Sequence, residues 1–178
     1  MKITISGMNG SGKSTVADII AKKLNLKRYS TGDFRREIAR KKNFSLAELN
    51  KLGEKEDWTD KQADKWQEDL GKDEDNFIID SRLGFHFIPN SIRIFLKVNP
   101  EIGAKRIMKE NRKEENFKDL KEAIKFWHER INSDILRYKR YYNIDPYELS
   151  NYEFILDTSS LTIEEVTNKV LDFIKSKI

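Results

Sequence analysis

The chain has 178 residues with 34 Lys and Arg, 30 Asp and Glu, two His and no Cys, a length that suits one compact domain. The absence of cysteine excludes a disulfide framework, a thiol nucleophile and a Cys-ligated zinc site, and gives no support to secretion. No apolar run approaches the ~20 residues of a membrane span, and Met1 to Ile5 do not resemble a signal peptide. The composition therefore predicts a cytoplasmic globular protein with no membrane partner, expected to be a monomer.

The net charge of +4 is unevenly distributed. The segment from Glu101 to Tyr142 has 12 Lys and Arg against 8 Asp and Glu, whereas the remainder has 22 of each sign. Such a local excess suits either a solvated helix face or a surface that meets phosphate. A nucleic-acid partner is not expected, because the sequence contains no recognition module for one.

Short apolar runs alternate with amphipathic segments along the chain. The apolar spacing in Thr15–Leu24 predicts a helix, and the charged helical pattern of Gly32–Gly71 allows two or three helices. One of these begins at Ser45, because Glu48 three positions later completes a capping box. Five runs predict strands: Lys2–Ser6, Leu26–Ser30, Asn76–Asp80, Ile92–Val98 and Glu153–Asp157.

Helices are also predicted after the later strands. From Pro100 the pattern indicates a helix to about Lys109, a polar break over 111–116, a long helix, and a closing helix from Thr162 to Ile178. The apolar stripe expected for the long helix is Leu120, Ile124, Trp127, Ile131, Ile135 and Tyr138. This alternation predicts an α/β fold, in which helices cover an open parallel sheet and ligands bind beyond the carboxyl ends of its strands.

The clearest motif is a glycine-rich loop between the first strand and the first helix. Its sequence, GMNGSGKS, matches the pattern G-x-x-x-x-G-K-[ST]. The glycines let backbone N–H groups surround phosphates, and the following helix adds its partial positive charge. Lys13 is expected to reach the β- and γ-phosphates and Ser14 to face Mg²⁺. The predicted nucleoside triphosphate site comprises Gly7, Met8, Asn9, Gly10, Ser11, Gly12, Lys13, Ser14 and Thr15.

Other features narrow the class of protein. Asp80–Gly84 after the third strand departs from the D-x-x-G motif of a GTPase, and no N-K-x-D guanine motif occurs. The chain is also short for a motor ATPase. Small-molecule kinases remain, and their second substrate is an anion that converging arginines can grip. The candidates are Arg36, Arg82, Arg130 and Arg137.

Several strings together resemble cytidylate kinase, in particular its short archaeal type. They are the phosphate loop, STGDFRR at 30–36, DSR at 80–82, RYKRYYNID at 137–145 and DTS at 157–159. The likeness covers nearly the whole chain as one P-loop kinase domain. It implies a five-stranded parallel sheet, a helical monophosphate-binding insertion at about 32–72 and a lid at about 106–117. It also implies transfer of the γ-phosphoryl group of ATP to CMP or dCMP, with Mg²⁺.

The resemblance implies roles for individual charged residues. Arg36 and Arg82 would hold the monophosphate, and Arg130 and Arg137 would reach it from the long helix. The seven-residue separation of the last two places them on one helix face. Asp134 lies between them and could orient a guanidinium or contact the sugar.

Further roles are implied around the phosphate loop. Arg106 would contact ATP from the lid, and Asp80 would act on Mg²⁺ through water or order Lys13. Asp33 is either a helix cap or a contact to the bound nucleotide. The catalytic residues so predicted are Lys13, Arg82, Arg130 and Arg137.

Base recognition is expected in the insertion. Its sequence matches a D-[KR]-x-x-D-[KR]-x-Q arrangement of the archaeal type, and a carboxylate paired with a cation or an amide can recognise cytosine. The same spacing suits i,i+4 ion pairs on a helix surface, which remains an alternative. Adenine also presents a donor beside an acceptor, so AMP remains an alternative acceptor. The residues concerned are Asp60, Lys61, Asp64, Lys65 and Gln67.

Two positions depart from the family pattern. Glu110 and Ile135 stand where the archaeal type usually has arginines. Arg112 and Lys113 are candidates to replace the first of these charges. The departures raise a further alternative, a nucleotide-binding protein with weakened transfer activity.

Overall fold

The computed structural model describes residues 1–110 and 117–178. The strands are β1 (Lys2–Gly7), β2 (Lys27–Ser30), β3 (Phe77–Asp80), β4 (Ile92–Lys97) and β5 (Phe154–Asp157). The helices are α1 (Lys13–Leu24), α2 (Thr31–Lys41), α3 (Leu46–Gly53), α4 (Trp58–Asp73), α5 (Gly84–Phe87), α6 (Pro100–Lys109), α7 (Leu120–Tyr142) and α8 (Ile163–Lys175). Each predicted strand is confirmed to within one residue at either end. The short helix α5 was not predicted.

The five strands form one parallel sheet in the order β2-β3-β1-β4-β5, which confirms the predicted fold class. The central strand β1 is almost wholly buried, as expected for a parallel sheet covered on both faces. On one face Ile3 and Ile5 pack with Val16 and Ile20 of α1 and Val170 of α8. The order of the strands determines where ligands can bind, because β3 and β4 flank the loop that follows β1.

The buried face of α7 differs from the predicted apolar stripe. Trp127 and Tyr138 are buried as expected, but the other four predicted positions are only partly buried. Asp134 and Arg137 are buried instead. Apolar spacing could not indicate this arrangement, because the two charges are neutralised by partners on other elements. The long helix therefore packs through ion pairs as well as through apolar contacts.

Helices α2, α3 and α4 form the predicted insertion between β2 and β3. The capping box of Ser45 and Glu48 is confirmed at the start of α3. The predicted lid begins at Arg106 on α6, but 111–116 lie outside the described residues, and Arg112 and Lys113 lie there with them. Among the helices of 1–110 and 117–178, none is long and apolar enough to cross a membrane.

Helix α6 packs directly against the phosphate loop. Gly10 has a φ of 74°, and a Cβ atom added to it would lie 2.3 Å from the carbonyl oxygen of Gly103. Trp127 of α7 completes this contact, since its Nε1 donates a hydrogen bond to Asn9 O at 2.8 Å. The loop is thus positioned by backbone contact with α6 and by a buried indole.

We expect Trp127→Phe to lower the free energy of unfolding by about 1–3 kcal/mol, because Asn9 O loses its buried donor. Urea denaturation measures the loss. Trp66→Phe is the matched control, since that indole packs face to face on Phe34 and its replacement estimates the cost of a smaller ring. Equal losses in the two variants would show that the hydrogen bond to the loop contributes nothing.

Candidate functional site

A cleft opens at the carboxyl ends of β1 and β3. The phosphate loop forms one wall, and the insertion and α7 form the other. The structure brings many of the predicted site residues into its lining: Asn9, Gly10, Gly12, Lys13, Ser14, Thr15, Arg36, Asp80, Arg82, Arg130, Asp134 and Arg137.

The phosphate loop presents buried polar atoms that its own fold does not satisfy. Lys13 Nζ donates to Met8 O at 3.3 Å across the loop. Asn9 Nδ2 and Ser11 Oγ are buried, and neither makes a hydrogen bond to the residues that the structure describes. Buried donors without acceptors are costly, so this loop suits a ligand rich in acceptor oxygens. A triphosphate meets that requirement.

Oxygen donors suited to Mg²⁺ lie beside the loop. Ser14 Oγ donates to Asp80 Oδ2 at 2.5 Å, so the hydroxyl and the carboxylate occupy adjacent positions. Among the described residues no group of three or more His, Cys, Asp and Glu side chains could hold a metal by itself. Mg²⁺ commonly takes only one or two protein oxygens together with phosphates and water. Ser14 and Asp80 therefore fit the ion as a partner of bound phosphates.

A chain of ion pairs crosses the floor of the cleft from the insertion to the phosphate loop. Asp60 Oδ1 accepts from Arg35 NH1 at 2.7 Å and also from Arg137 NH1. Arg137 NH2 donates to Asp134 Oδ1 at 2.5 Å, and Arg82 Nε donates to Asp134 Oδ2 at 2.9 Å. Because each carboxylate is shared by two guanidinium groups, the three arginines have fixed orientations.

The chain ends on the phosphate loop itself. Arg82 donates through NH1 to Gly7 O and through NH2 to Asn9 Oδ1. The ring of Tyr147 lies 5.7 Å from the Arg82 guanidinium carbon, and its hydroxyl donates to Asp134 Oδ2 at 2.8 Å. Burial alone would raise the pKa of Asp134, but the positive charges of Arg82, Arg137 and Arg130 lower it to about 2. Asp134 is therefore ionised at neutral pH.

The start of α2 holds two predicted residues, of which Arg36 lines the cleft and Asp33 does not. Ser30, not Asp33, is the N-cap of this helix, since Ser30 Oγ accepts from Asp33 N at 3.2 Å. The Asp33 carboxylate instead pairs with Arg36 at 2.5 Å and Arg28 at 2.9 Å. Arg36 lines the cleft while it makes this partly exposed pair.

Four predicted ATP-binding residues do not line the cleft. Gly7, Met8 and Ser11 belong to the interior of the loop. Arg106 lies on the other side of the loop, where NH1 donates to Gly10 O at 3.3 Å and NH2 donates to Thr158 O at 2.8 Å. Arg106 thus connects α6 to the loop and to the segment that follows β5.

The residues predicted to recognise the base separate into two groups. Lys61 and Lys65 point to solvent, where they pair with Asp57 and Asp69 at i,i+4 spacing, as the surface alternative predicted. Asp60 and Asp64 are 1% and 5% exposed, and neither lines the cleft. Asp60 accepts hydrogen bonds from Arg35 and Arg137 and so orients these two arginines.

Asp64 lies in a buried network of neutral groups. Its carboxylate accepts from Tyr142 OH at 2.6 Å and from Gln67 Nε2 at 3.1 Å, and Gln67 Oε1 in turn accepts from Ser81 Oγ. Burial raises the pKa of Asp64 to about 7, although the Tyr142 hydrogen bond opposes the shift. Asp64 therefore titrates near neutral pH.

Sequence reasoning missed Arg35 and Asn50, which both line the cleft. Arg35 NH2 donates to Asn50 Oδ1 at 3.0 Å, and NH1 also donates to Thr59 O at 2.9 Å. Because Arg35 and Arg36 are adjacent on α2, the sequence indicated that one of the two must face inward. No pattern singled out Asn50. Glu110, a departure from the family pattern, also lines the cleft.

Known proteins resemble the chain in sequence and in fold. Residues 2–160 match the profile of the cytidylate kinase-like family. A curated cytidylate kinase of Methanosarcina barkeri is 34% identical over 100% of this chain and 96% of the relative. A second, of Sulfolobus acidocaldarius, is 38% identical over 99% of this chain and 96% of the relative. The fold also resembles shikimate kinases from Bacteroides thetaiotaomicron (TM-score 0.69, 16% identity, 98% of both chains) and Aquifex aeolicus (TM-score 0.62, 19% identity, 99% of this chain and 98% of that one). The family resemblance predicted from the motifs is confirmed.

We expect Asp64→Asn to gain stability relative to the natural protein as the pH rises. Asp64 binds its proton more tightly in the folded state, so its stabilising contribution is present below its unfolded pKa of about 4 and is lost as the pH rises through about 7. The difference in free energy of unfolding between variant and natural protein should therefore grow from pH 4 to pH 7 and then level off.

Urea denaturation at several pH values measures this difference. Asp73→Asn, at an exposed position of the same helix, controls for the loss of an acidic group. A difference that stays constant between pH 4 and pH 8 would contradict the assignment of a buried, titrating carboxyl to Asp64.

Proposed function

The chain belongs to the cytidylate kinase-like family, and we propose that it transfers the γ-phosphoryl group of ATP to CMP or dCMP, with ADP and CDP or dCDP as products. One observation supports this function above all. The phosphate loop with Lys13 opens onto the same cleft as Arg36, Arg82 and Arg130. A donor triphosphate and an acceptor monophosphate can therefore meet in one space.

The loop side of the cleft suits the triphosphate. The backbone of the loop, Asn9 Nδ2 and the N-terminus of α1 supply donors to phosphate oxygens. Lys13 would leave Met8 O and pair with the β- and γ-phosphates. Ser14 and Asp80 would hold Mg²⁺, directly and through water. The bound ion would neutralise charge that develops on the transferred group.

The opposite side of the cleft suits the monophosphate. Arg36 and Arg130 are partly exposed in the cleft and can contact phosphate oxygens by small side-chain movements. Arg82 lies between the loop and Asp134, so it can contact the transferred group from the floor. Arg137 is 1% exposed and donates to two carboxylates. We assign it to the orientation of Asp134 and Asp60, and thereby of Arg82.

The reaction needs no covalent intermediate on the protein. An oxygen of the acceptor phosphate attacks the γ-phosphorus of ATP in line, the bond to the β–γ bridging oxygen breaks, and ADP leaves. Lys13 and the arginines lower the barrier by position and by compensation of negative charge. No general base is required, because the attacking phosphate oxygen is already ionised at neutral pH.

The choice of a cytidine acceptor rests on the relatives, which are named cytidylate kinases. The cytoplasmic location and the monomeric state are still predictions from the sequence.

We expect Lys13→Ala to fold normally and to lose about 10²- to 10³-fold or more in kcat, because it removes a preorganised charge from the transferred phosphates. A coupled assay of ADP formation at saturating ATP and CMP measures the loss, and a thermal unfolding curve checks the fold. Lys22→Ala, on the exposed face of the same helix, is the control. Full turnover in Lys13→Ala would refute the proposed mechanism.

Assay of CMP, dCMP, UMP, AMP and GMP with ATP and Mg²⁺ tests the acceptor directly. We expect the largest kcat/KM for CMP or dCMP. A preference for AMP would replace cytidylate kinase activity by adenylate kinase activity. Tight binding of ATP without phosphorylation of any acceptor would identify a nucleotide-binding protein instead.

A further inference from the structure

Asn50 occupies the junction of two cavities. It lines the cleft described above and also a groove between α3 and α7. Leu46 and Arg130 line both spaces as well, so the groove is continuous with the cleft. The groove has apolar contributions from Phe126 and Leu136. A planar apolar group attached to a phosphate in the cleft can therefore extend toward α3.

The Asn50 amide has a fixed direction. Arg35 NH2 donates to Asn50 Oδ1 at 3.0 Å, and Arg35 is itself held by Asp60 Oδ1 at 2.7 Å and Thr59 O at 2.9 Å. A guanidinium only donates hydrogen bonds, so the amide must turn its oxygen toward Arg35 and its Nδ2 away. Arg35 is 6% exposed, which leaves it little freedom to move. Asn50 therefore presents an oriented hydrogen-bond donor.

The direction of the acceptor nucleotide follows from the reaction. Its phosphate must lie near Lys13 and Arg82, where the γ-phosphate of ATP arrives. Its base must then lie away from the loop, on the side where Leu46 and Asn50 line both the cleft and the groove. Leu46 is an apolar residue that lines both spaces, and Asn50 offers the donor.

We propose that Asn50 recognises the base of the acceptor nucleotide, with Arg35 as the residue that positions it. Its Nδ2 donates to an acceptor atom on the edge of the ring, which in cytosine is O2 or N3. This assignment rests on the proposed function. It identifies a specificity-determining residue on α3, outside the acidic positions of α4 that the sequence indicated.

Two variants separate the donor from the rest of the side chain. Asn50→Asp keeps an acceptor for Arg35 and loses the donor, whereas Asn50→Leu loses the donor without adding charge. We expect both to weaken CMP binding about 10- to 100-fold, as for a site that loses a hydrogen bond to its ligand. Binding of ribose 5-phosphate, which has the sugar and phosphate without the base, should not change.

Isothermal titration of each variant with CMP and with ribose 5-phosphate gives the two dissociation constants. Asn132→Leu is the control, because Asn132 lines the groove and not the cleft. Arg35→Lys tests the positioning role and should weaken CMP binding by a larger factor than ribose 5-phosphate binding, because Arg35 orients Asn50 and also shares Asp60 with Arg137. Thermal unfolding curves confirm that each variant is folded.

The outcomes are distinct from those of the acceptor assay. An equal loss for CMP and ribose 5-phosphate, or no loss for CMP in either Asn50 variant, would overturn the assignment. Absence of CMP binding by the natural protein would overturn it as well. If the natural protein binds CMP without ADP formation, the proposed kinase function fails, and the ratio of the two dissociation constants still decides the role of Asn50.

Discussion

The buried carboxylate of Asp134 determines how the rest of the cleft is built. It accepts hydrogen bonds from Arg82, Arg137 and Tyr147, which come from the loop after β3, from α7 and from the segment before β5. Removal of charges from water is costly unless they are paired with good geometry. These three segments must therefore assemble together. Once assembled, they hold Arg82 against the phosphate loop in a single orientation.

The need to pair buried polar groups also explains the most distinctive string of the sequence, RYKRYYNID. Its members attach α7 to the insertion by polar contacts. Arg140 NH1 donates to Glu54 O at 2.8 Å, Tyr141 OH donates to Gly53 O at 2.6 Å, and Tyr142 OH donates to Asp64. Asn143 then ends the helix with a φ of 56°. Arg140, Tyr141 and Tyr142 each have a different partner, so the string is more specific than an amphipathic helix would need.

The sequence predicted the fold well because most of its strands are short apolar runs, and each strand emerged within one residue. The phosphate loop was predictable because local backbone requirements determine its pattern. The inner face of α7 was not, since Asp134 and Arg137 find their partners far away in the chain. Periodicity of apolar residues cannot indicate a buried surface that is stabilised by paired charges.

The residues of the candidate site likewise divide into those that the sequence could predict and those that it could not. Lys13, Ser14 and Asp80 follow strand ends, so topology alone brings them together. Arg35 and Arg36 are neighbours in sequence, and only packing decides that Arg35 turns inward to Asp60 while Arg36 stays at the edge. Asn50 is oriented by Arg35, and this contact joins two separate helices. No pattern in the sequence around Asn50 indicates it.

The contact between Gly10 and Gly103 couples two positions that are distant in sequence, because neither glycine can be enlarged without a clash with the opposite backbone. A Cβ atom on Gly10 would meet the backbone of Gly103, and a Cβ atom on Gly103 would lie 2.7 Å from Asn9 O. Both obstacles are main-chain atoms, so no change of rotamer can make room. Enlargement of either glycine would push α6 and the loop apart as rigid bodies, and no substitution at the other position could restore their fit. Mutational tolerance at this junction is therefore limited by shape and not by the chemistry of side chains.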